Sequence, residues 1–307
     1  MPKATITIQI VTHNSIQDLS ACLDSLDRQE FKDFDIIIID NGSSDSTKDF
    51  LKKWTGGRVV LNDVNLGFAM AHNQAFIMSD SEYVIVMNPD VILAPTHVFY
   101  LIQAMDAQSI GAVQGRILLL DCEAERTNII DSVGIRHRFW GQVTDIGQGE
   151  KDWGQFNEPS VIFGATGACA MYKRRAIFGI RDGEDIFDGD LFMYKEDIDL
   201  AFRLNKKGWK AYYEPKAIAY HKRGAGKNIP RGLRPLLVRE LSFANGVLVA
   251  VKNENKAKLP VVGIYFLLYF LFLILFDRKI ILSALKRIRR FYRQMLRKRH
   301  ETFNYNS

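Results

Sequence analysis

Cysteine is scarce in this chain of 307 residues, and its three cysteines show neither a pairing pattern nor a metal-binding spacing. Cys22, Cys122 and Cys169 are odd in number, widely scattered and outside any CxxC or Cys/His arrangement. This pattern argues against a disulfide-stabilised secreted domain and against a zinc site. We expect the thiols to be small core residues of a protein in a reducing compartment.

The sequence motifs of several common enzyme classes are also missing. The chain has no GxGxxG after its first predicted strand, no GxxxxGK[ST], no GxSxG and no HExxH. Nicotinamide oxidoreductases, P-loop NTPases and serine hydrolases are therefore poor candidates. The N-terminus enters a strand at once, without a cationic region and a small-residue cleavage site, so we predict no signal peptide.

An excess of basic charge is missing from most of the chain, although the whole protein carries a net charge of +6. Residues 278–307 hold ten lysines and arginines and one acid, whereas the preceding 277 residues hold 31 basic and 34 acidic side chains. A nucleic-acid groove across the main body would need the basic residues there. We therefore predict no nucleic-acid partner.

A hydrophobic run, Leu259–Phe276, precedes the basic tail and contains no charged residue. A helix of this length spans about 27 Å, slightly less than the hydrocarbon core of a bilayer. The basic residues of 278–300 favour a membrane-associating segment whose basic flank lies on the cytoplasmic side. Two alternatives stay open, a helix that only dips into the membrane and a buried helix followed by a solvated basic helix.

Strands alternate with helical patterns over the first hundred residues, which predicts an α/β fold with a mostly parallel sheet flanked by helices. The predicted strands are Thr5–Val11, Ile36–Ile39, Arg58–Leu61 and Tyr83–Met87, and the predicted helices are Ser15–Gln29, Ser46–Trp54, Phe68–Met78 and Thr96–Ala107. Shorter strands from Gly111 to Ala170 predict an antiparallel extension. A helix over Glu196–Lys207 and strands over Trp209–Tyr213 and Ala217–His221 are expected to follow. We divide the chain into a catalytic domain, 1–232, and a C-terminal helical region, 233–307.

Two apolar strands run directly into acidic turns, in the segments Asp35–Asp45 and Tyr83–Asp90. Four consecutive isoleucines, Ile36 to Ile39, suit a strand that is buried on both faces. Because ligands of open α/β sheets bind at the carboxyl ends of the strands, the two turns predict a nucleotide site with a diphosphate-bound cation. Ordinary loops with Asp or Ser as helix N-caps remain the alternative, most of all for Ser43–Thr47.

Acidic residues are also concentrated at the start of the predicted helix at Glu196. Glu196, Asp197 and Asp199 lie within four residues and repel one another unless a ligand or a cation is near. The helix dipole favours acids in a first turn, so a well-started helix explains part of the pattern. We expect Asp199 and Arg203 to form a surface pair at i,i+4 spacing.

The order of these segments resembles that of the family-two inverting glycosyltransferases with a GT-A fold, and is most similar to the rhamnosyltransferase-like branch. The resemblance rests on THN, IIIDNGSSD, NLGFAMAHNQA, VMNPDV, GACAMYKR, FMYKEDIDLAFRLNKKGW and AYH, between Thr5 and His221. FANGVLVAVKN at 243–253 continues it. The family implies a nucleoside-diphosphate sugar as donor and a divalent cation, Mg²⁺ or Mn²⁺, as cofactor.

The resemblance implies a role for each matching donor-site residue. The residues assigned to the donor nucleotide are Thr12, Asn14, Asp40, Asn41, Gly67, Phe68, Asn73 and Asn88. Asn88-Pro89-Asp90 stands in the place of the family's DxD motif and offers one carboxylate where DxD offers two. Asp90 would therefore bind the cation, with His221 as a further metal or diphosphate ligand. His221 could equally be a hydrogen-bonded histidine at a strand end.

The resemblance also assigns the reaction centre. Asp197 matches the second residue of the family's ED motif and would be the catalytic base, while Glu196 could substitute for it. Phe192, Tyr194 and Glu196 would form the acceptor site. A Gly-rich segment after His221, which includes Gly224, Gly226 and Lys227, could close over the diphosphate or be a solvated loop.

We therefore expect a glycosyltransferase at the cytoplasmic face of the cell membrane, acting on a lipid-linked or other saccharide acceptor in cell-surface polysaccharide synthesis. Two rival hypotheses remain open. One is an inactive, sugar-nucleotide-binding scaffold subunit. The other is a nucleotidyltransferase, although the loop after the first strand lacks the Gly-rich, basic sequence that this class uses.

Overall fold

The computed structural model describes residues 4–121, 123–181, 183–223 and 235–304. The strands are β1 (Ile6–Thr12), β2 (Phe34–Asn41), β3 (Arg58–Asn62), β4 (Tyr83–Met87), β5 (Val91–Leu93), β6 (Ile110–Leu120), β7 (Arg126–Ser132), β8 (Ile135–His137), β9 (Val143–Asp145), β10 (Ser160–Ile162), β11 (Cys169–Lys173) and β12 (Lys210–His221). The helices are α1 (Ile16–Asp27), α2 (Thr47–Lys53), α3 (Phe68–Met78), α4 (His97–Ala104), α5 (Arg174–Phe178), α6 (Glu196–Lys206), α7 (Leu236–Asn253), α8 (Leu259–Phe276) and α9 (Ile281–Asn304).

The main sheet has a parallel half and a mixed half. Its strand order is β10-β12-β6-β11-β4-β1-β2-β3, with β5 beside β12 and β7 beside β6. Strands β4, β1, β2 and β3 are mutually parallel, which confirms the predicted βαβ units. From β11 onward antiparallel pairs enter the sheet, as the shorter strands after Gly111 predict.

The four isoleucines of β2 occupy both faces of the sheet, as predicted. Ile36 and Ile38 join the core on one face, while Ile37 and Ile39 pack with Ala71 and Ala75 of α3 on the other. Burial on both faces leaves no room for polar side chains within the strand. The strand is therefore polar only near its ends, with the exposed Asp35 close to its start and Asp40 and Asn41 at its carboxyl end.

Strand β12 differs from its prediction, because one continuous strand replaces the two that were expected. It runs beside β6 on both sides of an irregularity between Glu214 and Ile218. Pro215 lies in this irregular stretch, and a proline, which has no N–H to donate, is accommodated in a sheet at such a bulge. The strand continues to His221, which pairs with Val91 of β5 and so reaches the sheet edge near Asp90.

The C-terminal helices pack on the body of the protein through a buried ionic cluster. Lys252 of α7 is fully buried between Asp188 at 2.6 Å and Asp199 at 3.1 Å. Burial alone would raise the pKa of both carboxyls, but Lys252, together with Lys298 beside Asp188 and Arg203 beside Asp199, lowers the pKa of each. The two carboxylates are therefore ionised and are held by a cation from the C-terminal region.

The prediction that Asp199 and Arg203 form a surface pair is wrong. Their side chains do meet, with Nε donating to Oδ2 at 2.8 Å, but they are 0% and 3% exposed. The guanidinium also donates to the carbonyls of Ile180 and Ile186. The pair is buried because α7 packs on this face of α6. The i,i+4 spacing predicts the contact between the two side chains but not whether another helix packs over them.

Helix α8 is long and apolar enough to cross a membrane, and within the described residues it is the one helix that meets this criterion. Only Val262 and Leu273 of α8 are buried, whereas Leu268 and Leu275 are 61% and 73% exposed. A buried core helix, one of the open alternatives, is contradicted by this exposure. A continuous apolar surface of this kind marks a membrane or partner contact.

Two of the cysteines lie where the composition predicts. Cys22 and Cys169 are free thiols in the buried core, and burial raises the pKa of each. Cys122 lies outside the described residues, as does the segment with Gly224, Gly226 and Lys227 that was considered as a lid.

Candidate active site

The carboxyl ends of β1 and β2 form the first part of the site. Thr12 and Asp40 are partners in the parallel register, and the Thr12 hydroxyl donates to Asp40 Oδ1 at 3.0 Å. The Ser43 backbone N–H and hydroxyl also donate to the Asp40 carboxylate. Both Thr12 and Asp40 are fully buried. Asp40 thus orders the loop after β2, and a direct contact with the nucleoside stays a prediction.

Asn14 joins the loop after β1 to the loop after β2. Its side-chain oxygen accepts from the N–H groups of Ser44 at 2.7 Å and Asp45 at 3.3 Å, and its backbone N–H donates to the Ser43 hydroxyl. Asp45 in turn accepts from the N–H of Thr47, the first residue of α2. The helix-start alternative therefore applies to Asp45, while the other polar groups of this loop hold the two strand ends together.

Asn41 and Asn65 shape the turn that precedes α3. The Asn41 amide donates to Asn65 Oδ1 and to the Gly67 carbonyl, and Asn65 Oδ1 accepts from the Gly67 N–H. Gly67 has a φ of +85°, and a Cβ there would lie 2.4 Å from the ring of Phe192. Only glycine fits this close approach. The role of Asn65 was not predicted, although the residue belongs to the segment quoted for the resemblance.

Phe68, Gly167 and the acidic pair converge on one point. A Cβ added to Gly167 would lie 3.5 Å from the ring of Phe68, 3.7 Å from Asp197 Cβ and 3.7 Å from Glu196 Oε1. The Gly167 N–H donates to Asp197 Oδ2 at 3.1 Å. The adjacent Ala168 carbonyl accepts from the Asn88 N–H at 2.9 Å. The loop at Gly167 therefore joins the Asn88–Asp90 turn to the acidic pair. Gly167 begins the quoted segment GACAMYKR, to which the sequence analysis gave no role.

The two carboxyls of the acidic pair have different environments. Asp197 is partly exposed and accepts from the N–H groups of Gly167 and Ile198, whereas Glu196 is 6% exposed and its Oε2 is buried without a hydrogen-bond partner. Burial, and after it the charge of Asp197, raises the pKa of Glu196 to about 8. Burial also raises the pKa of Asp197, but the Gly167 N–H opposes that rise. At neutral pH Glu196 therefore stays largely protonated, while the N–H groups of Gly167 and Ile198 favour the ionised form of Asp197.

Asp90 and His221 meet where β5 and β12 pair. His221 Nε2 lies 3.2 Å from Asp90 Oδ1, and its Nδ1 lies 2.8 Å from Asp131 Oδ2. Burial alone would lower the pKa of His221, but Asp90 and Asp131 raise it to about 9. His221 thus stands between the carboxylate of the DxD-like turn and a second, fully buried carboxylate, and its role as a metal or diphosphate ligand stays a prediction.

The loop that leads into α6 has a strained backbone. Phe192, Tyr194 and Lys195 have φ values of +64°, +68° and +77°. Residues other than glycine rarely adopt positive φ values. Each such residue costs on the order of 1–3 kcal/mol and persists only because its surroundings enforce it, and strain of this kind concentrates at functional sites. Phe192 abuts Gly67, and its carbonyl accepts from the Ala69 N–H at 3.1 Å.

The remaining predicted donor residue, Asn73, makes contacts of a different kind. It is 5% exposed, and its side-chain amide bonds to the backbone of Ile186 and Phe187. These contacts fix the chain upstream of the strained loop. Asn73 therefore holds the chain that leads into the site. For the predicted contact with the ribose or diphosphate, its amide would have to break or share one of these hydrogen bonds.

Comparison with known proteins identifies the family to which the chain is related. Residues 7–178 match the model of glycosyl transferase family 2. An N-acetylglucosaminyl-diphospho-decaprenol L-rhamnosyltransferase of Mycobacterium tuberculosis is 27% identical over 237 residues, which cover 70% of this chain and 75% of that protein. An N-acetylglucosaminyltransferase of Mesorhizobium japonicum is 24% identical over 253 residues, with 79% of this chain and 56% of that protein covered. The present chain thus spans little more than half of the latter protein.

The fold is shared with solved glycosyltransferase structures. A mannosyltransferase from Pyrobaculum calidifontis in complex with GDP-Man and Mn²⁺ superposes with a TM-score of 0.55 at 13% identity, over 98% of this chain and 85% of that one. At this identity the likeness concerns the fold alone. The predicted GT-A architecture and the resemblance to the rhamnosyltransferase-like branch are both confirmed by these matches.

Proposed function

The chain belongs to glycosyl transferase family 2, and on that premise we propose that it transfers a sugar from a nucleoside diphosphate to an acceptor hydroxyl with inversion at the anomeric carbon. The donor is dTDP-rhamnose or a UDP-sugar. The acceptor is a lipid-linked saccharide, and the product serves the synthesis of a cell-surface polysaccharide. The relative that acts on N-acetylglucosaminyl-diphospho-decaprenol, by its name, supports this choice of substrates.

The observation that carries the proposal is the division of roles between Asp197 and Glu196. An inverting transfer is one displacement through an oxocarbenium-like state, and one carboxylate must take the proton of the attacking hydroxyl. Asp197 has two N–H donors that stabilise its ionised form and retains some exposure, so it is the base. Glu196, with its raised pKa, stays protonated and can donate a hydrogen bond to the acceptor. The strained loop supplies Phe192 and Tyr194 to the same acceptor site.

The residues of the DxD-like turn fit a divalent cation. Asp90 offers the carboxylate oxygen that Mg²⁺ and Mn²⁺ prefer. His221 Nε2, which lies 3.2 Å from Asp90 Oδ1, would ligate the same ion after it gives up the proton that its raised pKa keeps on the ring. Asp131, which pairs with Nδ1, would be the outer-shell carboxylate that orients His221 toward a metal. Within the described ranges no group of three or more such side chains that could hold a metal occurs. In a complex with the donor, diphosphate oxygens would add to the coordination. When bound, the cation would stabilise the charge of the departing nucleoside diphosphate.

A location at the cytoplasmic face of the membrane is also part of the proposal. Helix α8 exposes its apolar side chains, and α9 follows it directly with the basic residues of the tail. Each cation near an anionic leaflet adds about 1 kcal/mol of attraction, which salt screens. A lipid-linked acceptor is held in the same plane, so membrane binding would bring enzyme and acceptor together.

The test is a transfer assay with the purified full chain, in which dTDP-rhamnose and UDP-sugars are offered with a lipid-diphosphate-linked N-acetylglucosamine acceptor. The proposal expects release of one nucleoside diphosphate, a product with inverted anomeric configuration by NMR, and loss of both with Asp197→Asn. Nucleotide binding without turnover under any of these conditions would favour the scaffold alternative. Release of inorganic diphosphate from a sugar phosphate and a nucleoside triphosphate would identify a nucleotidyltransferase instead.

A further inference from the structure

The strained loop, residues 188–195, connects the two halves of the reaction centre. On one side the Phe192 carbonyl and ring contact the start of α3, where the donor residues Gly67 and Phe68 lie. On the other side the loop runs directly into Glu196 and Asp197. Any relaxation of this backbone would therefore shift the acidic pair relative to the donor site. The question is what enforces its positive φ values.

Asn245 of α7 is the principal contact of the loop. Its side chain is fully buried, and its Nδ2 donates to the carbonyls of Leu191 at 2.8 Å, Met193 at 2.9 Å and Tyr194 at 2.9 Å. Two N–H bonds serve three carbonyls, so one of them is shared. Of the two polar atoms of the Asn245 side chain, only the amide nitrogen donates hydrogen bonds. The three carbonyls therefore fix the orientation of this side chain.

Arg287 of α9 completes the same contact. Its Nε donates to Asn245 Oδ1 at 2.9 Å, and its Nη2 donates to the carbonyls of Asp190 at 2.8 Å and Leu191 at 3.0 Å. The carbonyls of residues 190, 191, 193 and 194 are therefore all held by the C-terminal helices, while that of Phe192 is held by α3. Lys298 of α9 adds ion pairs to Asp188 and Asp190 at the start of the loop.

We propose that Asn245 and Arg287 are positioning residues of the transferase, which hold the strained loop so that Asp197 faces the donor at the distance that transfer requires. Both lie beyond residues 7–178, which match the family model, although Asn245 belongs to the segment 243–253 that continues the resemblance. Both touch the loop backbone and not the side chains of the acidic pair. The C-terminal helices are then part of the catalytic apparatus in addition to any membrane role. This inference rests on the proposed function, because it assumes that Asp197 is the base.

The test compares Asn245→Leu and Arg287→Met with Arg287→Lys and with the control Arg290→Met. Arg290 lies on the same helix, is exposed, and contacts the ring of Phe291. We expect the first two variants to lower the kcat of sugar transfer by about tenfold to a hundredfold, since a misplacement of about 1 Å has an effect of that size. Their Kd for the nucleoside diphosphate should change less than kcat, because the loops after β1 and β2 keep their contacts and only the start of α3 adjoins the strained loop. Arg287→Lys should recover part of kcat, and the control should match the wild type.

Hydrogen exchange of the peptide that spans 188–195 provides a readout independent of turnover. The inference predicts faster exchange of this peptide in Asn245→Leu and Arg287→Met, with the exchange of β1 and β2 unchanged. It is overturned if the loop exchanges as in the wild type, if kcat equals that of Arg290→Met, or if kcat and nucleotide binding fall together with the melting temperature. A wild-type protein without transferase activity but with faster loop exchange in the variants would count against the proposed function and not against the loop contacts.

Discussion

At the scale of single residues, the site separates two adjacent carboxyls by their surroundings. Asp197 receives backbone N–H groups from Gly167 and Ile198, and Glu196 is left with a buried, unpaired oxygen. Neighbouring carboxyls that cannot both ionise divide into a proton acceptor and a proton carrier. In an unfolded, solvated chain a glutamate and an aspartate side by side would have similar environments, and either could act as the base. Their roles come from the fold.

Replacement of Asp197 by Asn tests the assignment of the base. We expect kcat to fall by about a hundredfold to ten-thousandfold, the usual contribution of general-base catalysis, because an amide cannot accept the proton. The Kd of the donor nucleotide should be unchanged, as measured by calorimetry. Glu196→Gln is the matched comparison, since a glutamine keeps the hydrogen-bonding ability of a protonated glutamate. A larger loss of kcat in Glu196→Gln than in Asp197→Asn would reverse the assignment.

The raised pKa of Glu196 predicts a pH dependence of stability. The pKa of this carboxyl is 4.5 in the unfolded chain and rises to about 8 in the folded protein. Between these pH values the folded state holds a proton that the unfolded state has released. The free energy of unfolding therefore falls as pH rises through this window. Urea unfolding of wild type and Glu196→Gln at about pH 5 and about pH 8 should show a smaller fall in the variant. An equal fall in both proteins would contradict the buried, protonated state.

At the scale of elements, helix α7 joins the C-terminal region to α6 through its buried lysine. Lys252→Met removes the cation that Asp188 and Asp199 share and leaves carboxylates buried with less compensation. Breaking a buried ion pair from one side costs about 3–5 kcal/mol, so we expect a destabilisation of that order in urea unfolding. Lys258→Met, at an exposed position beyond the end of α7, is the control and should change stability little. Equal stability of the two variants would show that the cluster does not hold α7 in place.

Sequence patterns predicted the regular elements well and their long-range contacts poorly. Helix α3 and strand β4 have the predicted bounds, because apolar spacing and the polar turns around them are local signals. The burial of Asp199 was not predicted, since it depends on Lys252, which lies far away in the chain. The contact of His221 with Asp131 likewise arises from strand pairing across ninety residues. The positive φ values at Phe192, Tyr194 and Lys195 leave no mark in residue type, because none of these is glycine.

At the scale of the whole molecule, the apolar surface of α8 and the basic charge of α9 predict binding to anionic membranes. The double variant Leu268→Glu with Leu275→Glu places charges at two of the most exposed positions of α8. We expect the wild type to sediment with vesicles that contain anionic lipid, less so at high salt, and the double variant to remain in the supernatant. Ile77→Glu, which is 70% exposed on α3, controls for the added charge. Unchanged sedimentation of the double variant would contradict membrane binding through α8.

The measurement that tests the central claim most directly is calorimetric titration of the purified protein with UDP, dTDP, GDP and CMP, in Mn²⁺ and again with a chelator. The account predicts that one nucleoside diphosphate binds, that the chelator weakens its binding, and that Asp90→Ala weakens it in Mn²⁺. That result would identify the donor's base and support the cation site at Asp90 and His221. Failure of all four nucleotides to bind under either condition would contradict the claim that this edge of the sheet is a nucleotide-sugar site.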